Sequence, residues 1–155
     1  MTTAMATATE ETRRVAQRWF EALTSGDFDA AVDTLAEDVE WINYIPVPSY
    51  NDDMKWIGTH RGRDAVLATL DIFHDAVDVR VEKLVNLVVD GCQAAGVVHE
   101  LSTVRATGAT FEIEFVQWLT VRDGRIVRWK SYTDPSPIIR ALRDDSAPQS
   151  GHVAV

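Results

Sequence analysis

The second half of the chain constrains the fold most, because Gly91, Gly108 and Gly124 divide it into four alternating stretches. Asp90-Gly91 and Thr107-Gly108 suit two-residue hairpin loops, in which glycine accepts the positive φ required. Arg122-Asp123-Gly124 suits a three-residue loop with Gly124 left-handed. These turns set a register. Val81 falls opposite Glu100 and Val79 opposite Ser102; then Glu100 opposite Phe115 and Ser102 opposite Ile113; then Phe115 opposite Ser131 and Gln117 opposite Trp129. All of these residues share one face, and it is mainly apolar, with Val85, Val98, Leu119 and Val127 added. The other face of the last hairpin mixes Glu114, Lys130 and Arg128 with Val116, Tyr132 and Trp118. Trp118 is large for a solvated position, which predicts a homodimer through the outer face of the sheet.

Upstream, the apolar period changes from two to nearly four. Val15, Trp19 and Leu23 predict a helix over Glu10–Thr24, closed by Gly26, and Asp27 caps a second helix carrying Phe28, Ala31, Val32 and Leu35. Val39 to Ile45 alternates as a strand, with Val39, Trp41, Asn43 and Ile45 on one face. Pro46 to Gly62 reads as a long loop or flap, and Val66, Leu70, Phe73 and Val77 mark a third helix over Arg63–Val77. A last helix runs from Ile138 to Arg143, and capping it accounts for Asp134. The expected fold is therefore α+β: a cone-shaped, curved antiparallel sheet with three packing helices enclosing a pocket. It forms a single domain over residues 10–143, with a disordered 1–9 segment and a flexible 144–155 tail.

The net charge of -9 argues against a nucleic-acid partner and against anionic membranes. No apolar run approaches the roughly 18 residues of a membrane span, and Met1 to Thr9 lacks the character of a secretory signal. Cys92 is the only cysteine, so disulfide stapling is out and a cytoplasmic location is expected. No metal-ligand spacing and no phosphate loop is present, so no metal and no cofactor is expected. The expected partner is a small apolar molecule.

On the inner face the register leaves Glu100 as the lone carboxylate. Apolar surroundings raise a carboxyl pKa and fit it for general acid–base work near neutrality. The alternative is that Glu100 pairs with a basic side chain such as Arg80. Glu100 and Asn43 are thus the candidate catalytic residues. Trp19, Trp41, Ser102, Phe115, Gln117, Trp129, Ser131 and Thr133 are the candidate substrate-binding residues. His99 should point to the outer face; His74 edges the third helix's apolar stripe; His60, Trp56 and Tyr50 belong to the flap; His152 lies in the tail.

The order helix, helix, bent strand, helix, four strands resembles the nuclear-transport-factor-2-like superfamily. The resemblance rests on FEALTSGDFDAAVDTLAEDV (Phe20 to Val39), GRDAVLATL (Gly62 to Leu70) and DGRIVRWKSYTD (Asp123 to Asp134), and spans about Glu10 to Arg143. That superfamily includes SnoaL-type polyketide cyclases, ketosteroid isomerase and limonene-1,2-epoxide hydrolase. The resemblance implies the same cone and a pocket for isomerase, cyclase, lyase or epoxide hydrolase chemistry. The familiar catalytic sets are not retained. Glu100, Ser102 and Ser131 stand where limonene epoxide hydrolase has its Arg and two Asp residues. Trp41 replaces its water-holding Tyr, and Asn43 matches its water-holding Asn. The isomerase's base falls on Asn43 and its oxyanion-hole Tyr on Trp19. Asp78 occupies the place of the dehydratases' His, and Asp134 matches the late carboxylate of the cyclases. The readings that follow are proton transfer on an apolar polyketide-, terpene- or steroid-like substrate, epoxide hydrolysis with a variant water-activating site, and non-catalytic binding of an apolar metabolite.

Overall fold

The computed structural model describes residues 2–144. Its elements run α1 (Thr3–Thr24), α2 (Phe28–Asp33), β1 (Leu35–Asn43), β2 (Gly58–Arg61), α3 (Arg63–Ala76), β3 (Val77–Asp90), β4 (Gln93–Val104), β5 (Thr110–Arg122), β6 (Arg125–Tyr132) and α4 (Ser136–Leu142). The six strands form one sheet in the order β2-β1-β6-β5-β4-β3. Only the β1–β6 pair is parallel. The sheet is curved and unclosed, and α1, α2 and α3 pack against its concave side. Two clusters fill the space between. One is built around Trp19, Phe20, Trp41 and Leu119, the other around Met54, Trp56, Ile138 and Phe111.

Helix α1 begins at Thr3 rather than Glu10, so residues 3–9 are helical instead of disordered. Thr2 caps it, accepting from the Met5 N–H. The β3–β4 turn then ties it down: Gly91 N–H donates to Thr9 Oγ1 at 2.9 Å, and Thr12 Oγ1 donates to Gly91 O at 2.7 Å. The expected 144–155 tail lies, from residue 145 onward, outside the described residues.

The hairpins keep the expected inner face with one exception, and parity explains both outcomes. In the second hairpin Glu100 pairs with Ile113 and Ser102 with Phe111; in the third, Gln117 pairs with Ser131 and Leu119 with Trp129. Each register is displaced by two residues from expectation, and an even slip leaves every side chain on its own face. The third loop is a two-residue turn because Asp123 (φ 54) and Gly124 (φ 75) are both left-handed. An extra residue near its start turns Val127 out of alternation, and Ile126 takes the buried place expected of it.

The exception is β3. Its loop is Gly91-Cys92, closed by the Asp90–Gln93 pair, yet Val79 still faces Ser102. The difference is absorbed by two bulges, at Arg80 and Val85. Between them the alternation is inverted. Glu82 faces Glu100 and Leu84 faces Val98, while Val81 and Val85, expected inside, are 39% and 52% exposed.

Strand β1 ends at Asn43 because Tyr44 adopts φ 56, which breaks the alternation. Ile45, expected on the inner face, is exposed, and Tyr44 turns inward. The 46–62 segment is a loop that ends in β2, a short strand the sequence reading missed. Buried Asn51 organises the loop by accepting from Val47 N–H and donating to Ile45 O. Arg143 holds its outer side through an ion pair with Asp53 and a bond to Tyr50 O.

Candidate functional site

The concave face of the sheet, α1, α3, α4 and the 44–57 loop line a cavity of about 90 Å³ that opens to solvent. Aromatic rings form much of its wall, among them Trp19, Trp41, Trp129, Phe115, Trp56 and Phe73. Trp41 stacks on Trp129 with centroids 3.7 Å apart, and Trp19 meets Trp41 edge-on at 5.9 Å. Gln117 braces this group. Its Oε1 accepts from Trp19 Nε1 at 2.7 Å and from Trp129 Nε1 at 2.9 Å. Trp41 Nε1 is the one buried side-chain polar atom among the described residues without a hydrogen-bond partner.

Lower along β3 and β4 lie the ionisable groups. Glu100 is 4% exposed, and Ser102 Oγ donates to its Oε2 at 2.6 Å. Burial pushes its carboxyl up to about 7, against the lowering effect of the Ser102 bond. Glu82, its cross-strand neighbour, is pushed up to about 8, first by burial and then by the Glu100 charge. The ion pairs of the described residues include neither carboxyl, and Arg80 is exposed on a bulge. Two facing carboxyls without a cation cannot both ionise cheaply, so near neutrality the pair carries less than its full charge. The hydroxyl of Tyr44 is raised above its ordinary range by burial, then by the charges of Glu100 and Asp134, and stays protonated. His74 is lowered, chiefly by burial and then by Arg105, with Asp71 and Asp75 opposing, and it packs against Phe28 at 4.6 Å. It is therefore neutral at physiological pH.

Of the residues expected at the site, Glu100, Asn43, Trp19, Trp41, Phe115, Gln117, Trp129 and Ser131 line the cavity. Ser131 Oγ donates to Asn43 Oδ1 at 2.9 Å. Ser102 does not line it; it is fully buried and serves Glu100. Thr133 does not either. Strand β6 ends at Tyr132, and the Thr133 hydroxyl donates to Glu114 O at 3.2 Å. Asp134 is solvent-exposed and accepts from Ser136 N–H, which holds its carboxyl below the usual range. His99 faces outward and pairs with Glu112 at 2.8 Å. The sequence reading missed Glu82, Tyr44 and the cavity position of His74. Glu82 and Tyr44 depend on two bulges and a left-handed residue that carry no glycine or proline signal. Gly91 marks the β3–β4 turn and Gly96 the Phe20 contact instead.

The model for the SnoaL-like domain matches residues 16–129, most of the chain. The chain belongs to the SnoaL-like family. No curated protein matches it. Among solved structures, this SnoaL-like domain is similar to a nuclear-transport-factor-2-like protein from Burkholderia xenovorans (28% identity, TM-score 0.71, covering 86% of this chain and 97% of that one). It shares its fold with a candidate SnoaL-like polyketide cyclase from Mesorhizobium loti (21%, TM-score 0.66, 78% and 97% covered). The same holds for an epoxide hydrolase of the limonene epoxide hydrolase-like type from Mycobacterium tuberculosis (21%, TM-score 0.62, 86% and 90% covered). Among the described residues no helix is long and apolar enough to cross a membrane, and no cluster of three His, Cys, Asp or Glu is placed to hold a metal.

Proposed function

We propose that the cavity is the active site of a cofactor-independent enzyme that moves a proton on a small, largely apolar substrate of polyketide, terpene or steroid type. Isomerisation, cyclisation and elimination all begin this way, and Glu100 is the base. The observation that carries the reading is Glu100 itself: a buried carboxyl, opposite a second carboxyl and without a cation, in a cavity walled by aromatic rings. A carboxyl held near pKa 7 is half ionised at the operating pH, where general-base catalysis is most efficient. It takes a proton from an acidic C–H and returns it to another atom of the same substrate or to a leaving group. Burial keeps it poised, and the Ser102 hydroxyl, donating to Oε2 at 2.6 Å, fixes the carboxylate's orientation.

The test is a panel of enones, polyketide mimics and epoxides, followed for product by mass spectrometry. Product that disappears in Glu100→Gln, with ligand affinity retained, supports the reading. Turnover unchanged in Glu100→Gln removes Glu100 from the mechanism. Diol from the epoxides favours a water-activating site using Asn43 and Glu100. Binding without any product favours a carrier or sensor of an apolar metabolite.

A further inference from the structure

Gln117 has a polarity that the fold fixes. Its Oε1 accepts from two indole N–H groups, so the amide cannot flip without leaving both Trp19 and Trp129 facing a second donor. The amide NH₂, for which the structure shows no protein acceptor, is the remaining polar end of a side chain that is 2% exposed and lines the cavity. The NH₂ is open to the cavity, so a ligand that covers it either offers it an acceptor or leaves it unpaired.

We propose that Gln117 is a specificity-determining residue that selects substrates carrying a carbonyl-type acceptor oxygen remote from the carbon at which Glu100 acts. The proposal rests on the proton-transfer reading for the role of Glu100 and names the substrate class of that same cavity. The distance follows from the register. Gln117 pairs with Gly96 and Glu100 with Ile113 on the same face of the β4–β5 ladder. Four residues of strand separate them, about 13 Å between backbones at ~3.3 Å per residue. Each side chain shortens the gap, yet one carbonyl group cannot bridge it. The substrate that fits has its oxygen about one to two fused rings from its reacting carbon, with the rings against Trp129 and Phe115. A site built to donate to an oxygen also rejects analogues lacking it, because the amide would otherwise stay unpaired.

The probes are 1-tetralone, a bicyclic ketone, and tetralin, the same skeleton without oxygen. Calorimetric titration at pH 9 is chosen so that the carboxyls at 82 and 100 are largely ionised, and the Gln117→Glu titration is repeated at pH 10, where a preference that falls away identifies a protonated carboxyl at 117 as its donor. The wild-type protein should prefer 1-tetralone by about fivefold, the ratio one neutral hydrogen bond supports. Gln117→Glu keeps an acceptor for both indoles but replaces the donor with a second acceptor. Gln117→Met removes the donor and the acceptor together. Both variants should bind the two probes alike, with near-ultraviolet circular dichroism verifying the fold. Preference kept in Gln117→Glu at both pH values but lost in Gln117→Met means that Gln117 only braces the tryptophans, and overturns the proposal. Preference kept in both variants assigns the donor elsewhere and overturns it too, as does a wild-type protein that prefers neither probe or binds neither. None of these ratios depends on turnover, so a failure of Glu100 as base is read separately, from product.

Discussion

Raising the pH from 5 to 9 should destabilise this protein, and Glu100→Gln should remove a large part of the loss. The folded state pushes the Glu100 carboxyl from 4.5 up to about 7, so it favours the protonated form. A group raised on folding contributes stability that is fully present below its unfolded pKa and lost as pH climbs through the folded value. At 1.36 kcal/mol per pKa unit the difference is about 3 kcal/mol, against a typical total of roughly 5–15 kcal/mol. The shift of Glu82 toward about 8 already contains repulsion from Glu100, so the two contributions are not summed. His74 works the other way, since its lowered pKa means that stability is gained as pH rises through the ordinary histidine range. Urea unfolding at steps between pH 5 and 9 reads the balance. With slopes of roughly 1–3 kcal/mol per molar urea, the wild-type midpoint should fall by about 1–3 M, and that of Glu100→Gln by clearly less. Parallel curves for the two proteins would refute the reasoning, because the buried carboxyl would then not be titrating in this range.

Three further outcomes are expected. If Glu100 is the base, kcat/KM should climb with pH along a limb centred near 7, and a profile flat from pH 6 to 9 counts against it. Gly96→Ala should destabilise by about 1–3 kcal/mol in urea, since a Cβ at 96 would fall inside the Phe20 ring; an unchanged midpoint would mean that Phe20 can move aside. We further propose that Trp118 and Tyr132, both exposed on the outer sheet face, belong to a homodimer contact. Sedimentation velocity at micromolar concentration should then give a dimer that Trp118→Glu dissociates, and a wild-type monomer would end that proposal.

Much of the fold was legible because its signals are local. The helical period of Val15, Trp19 and Leu23, the glycine turns and the β4–β6 alternation each specify their element without help from the rest. The inner face of β4–β6 survived register errors because each loop misread moved the pairing by an even number. The site was legible only where it sits on those regular strands. Glu100, Gln117, Trp129 and Ser131 were found by parity, and Trp19 and Trp41 by their apolar stripes. What escaped depends on odd insertions. A strand written Val79-Arg80-Val81-Glu82 places its valines inward by alternation, and only the bulge at Arg80 reverses that. Tyr44 escaped for a related reason: a left-handed residue without glycine leaves no mark in composition.

The bend of the sheet and the chemistry of the cavity are consequently one feature rather than two. A flat β3 would carry Val81 and Val85 inside and Glu82 outside, leaving Glu100 alone among apolar neighbours. The bulges that increase the local twist and curve β3 also rotate Glu82 to face Glu100. Each bulge is an odd step, so one alone would put either the 77–79 end or the 86–90 end of the strand out of phase with β4. Two restore the phase at both ends and confine the inversion to residues 81–84. The cost is two exposed valines on the outer face, at 39% and 52% exposure. The gain is a second carboxyl facing the first, itself pushed up to about 8 by burial and then by the Glu100 charge. On this fold, then, the position of two bulges decides whether β3 presents valines or a carboxyl to Glu100, while β4 to β6 keep their inner face. That gives a physical reason why one cone-shaped scaffold can carry different catalytic sets with the same sequence of helices and turns.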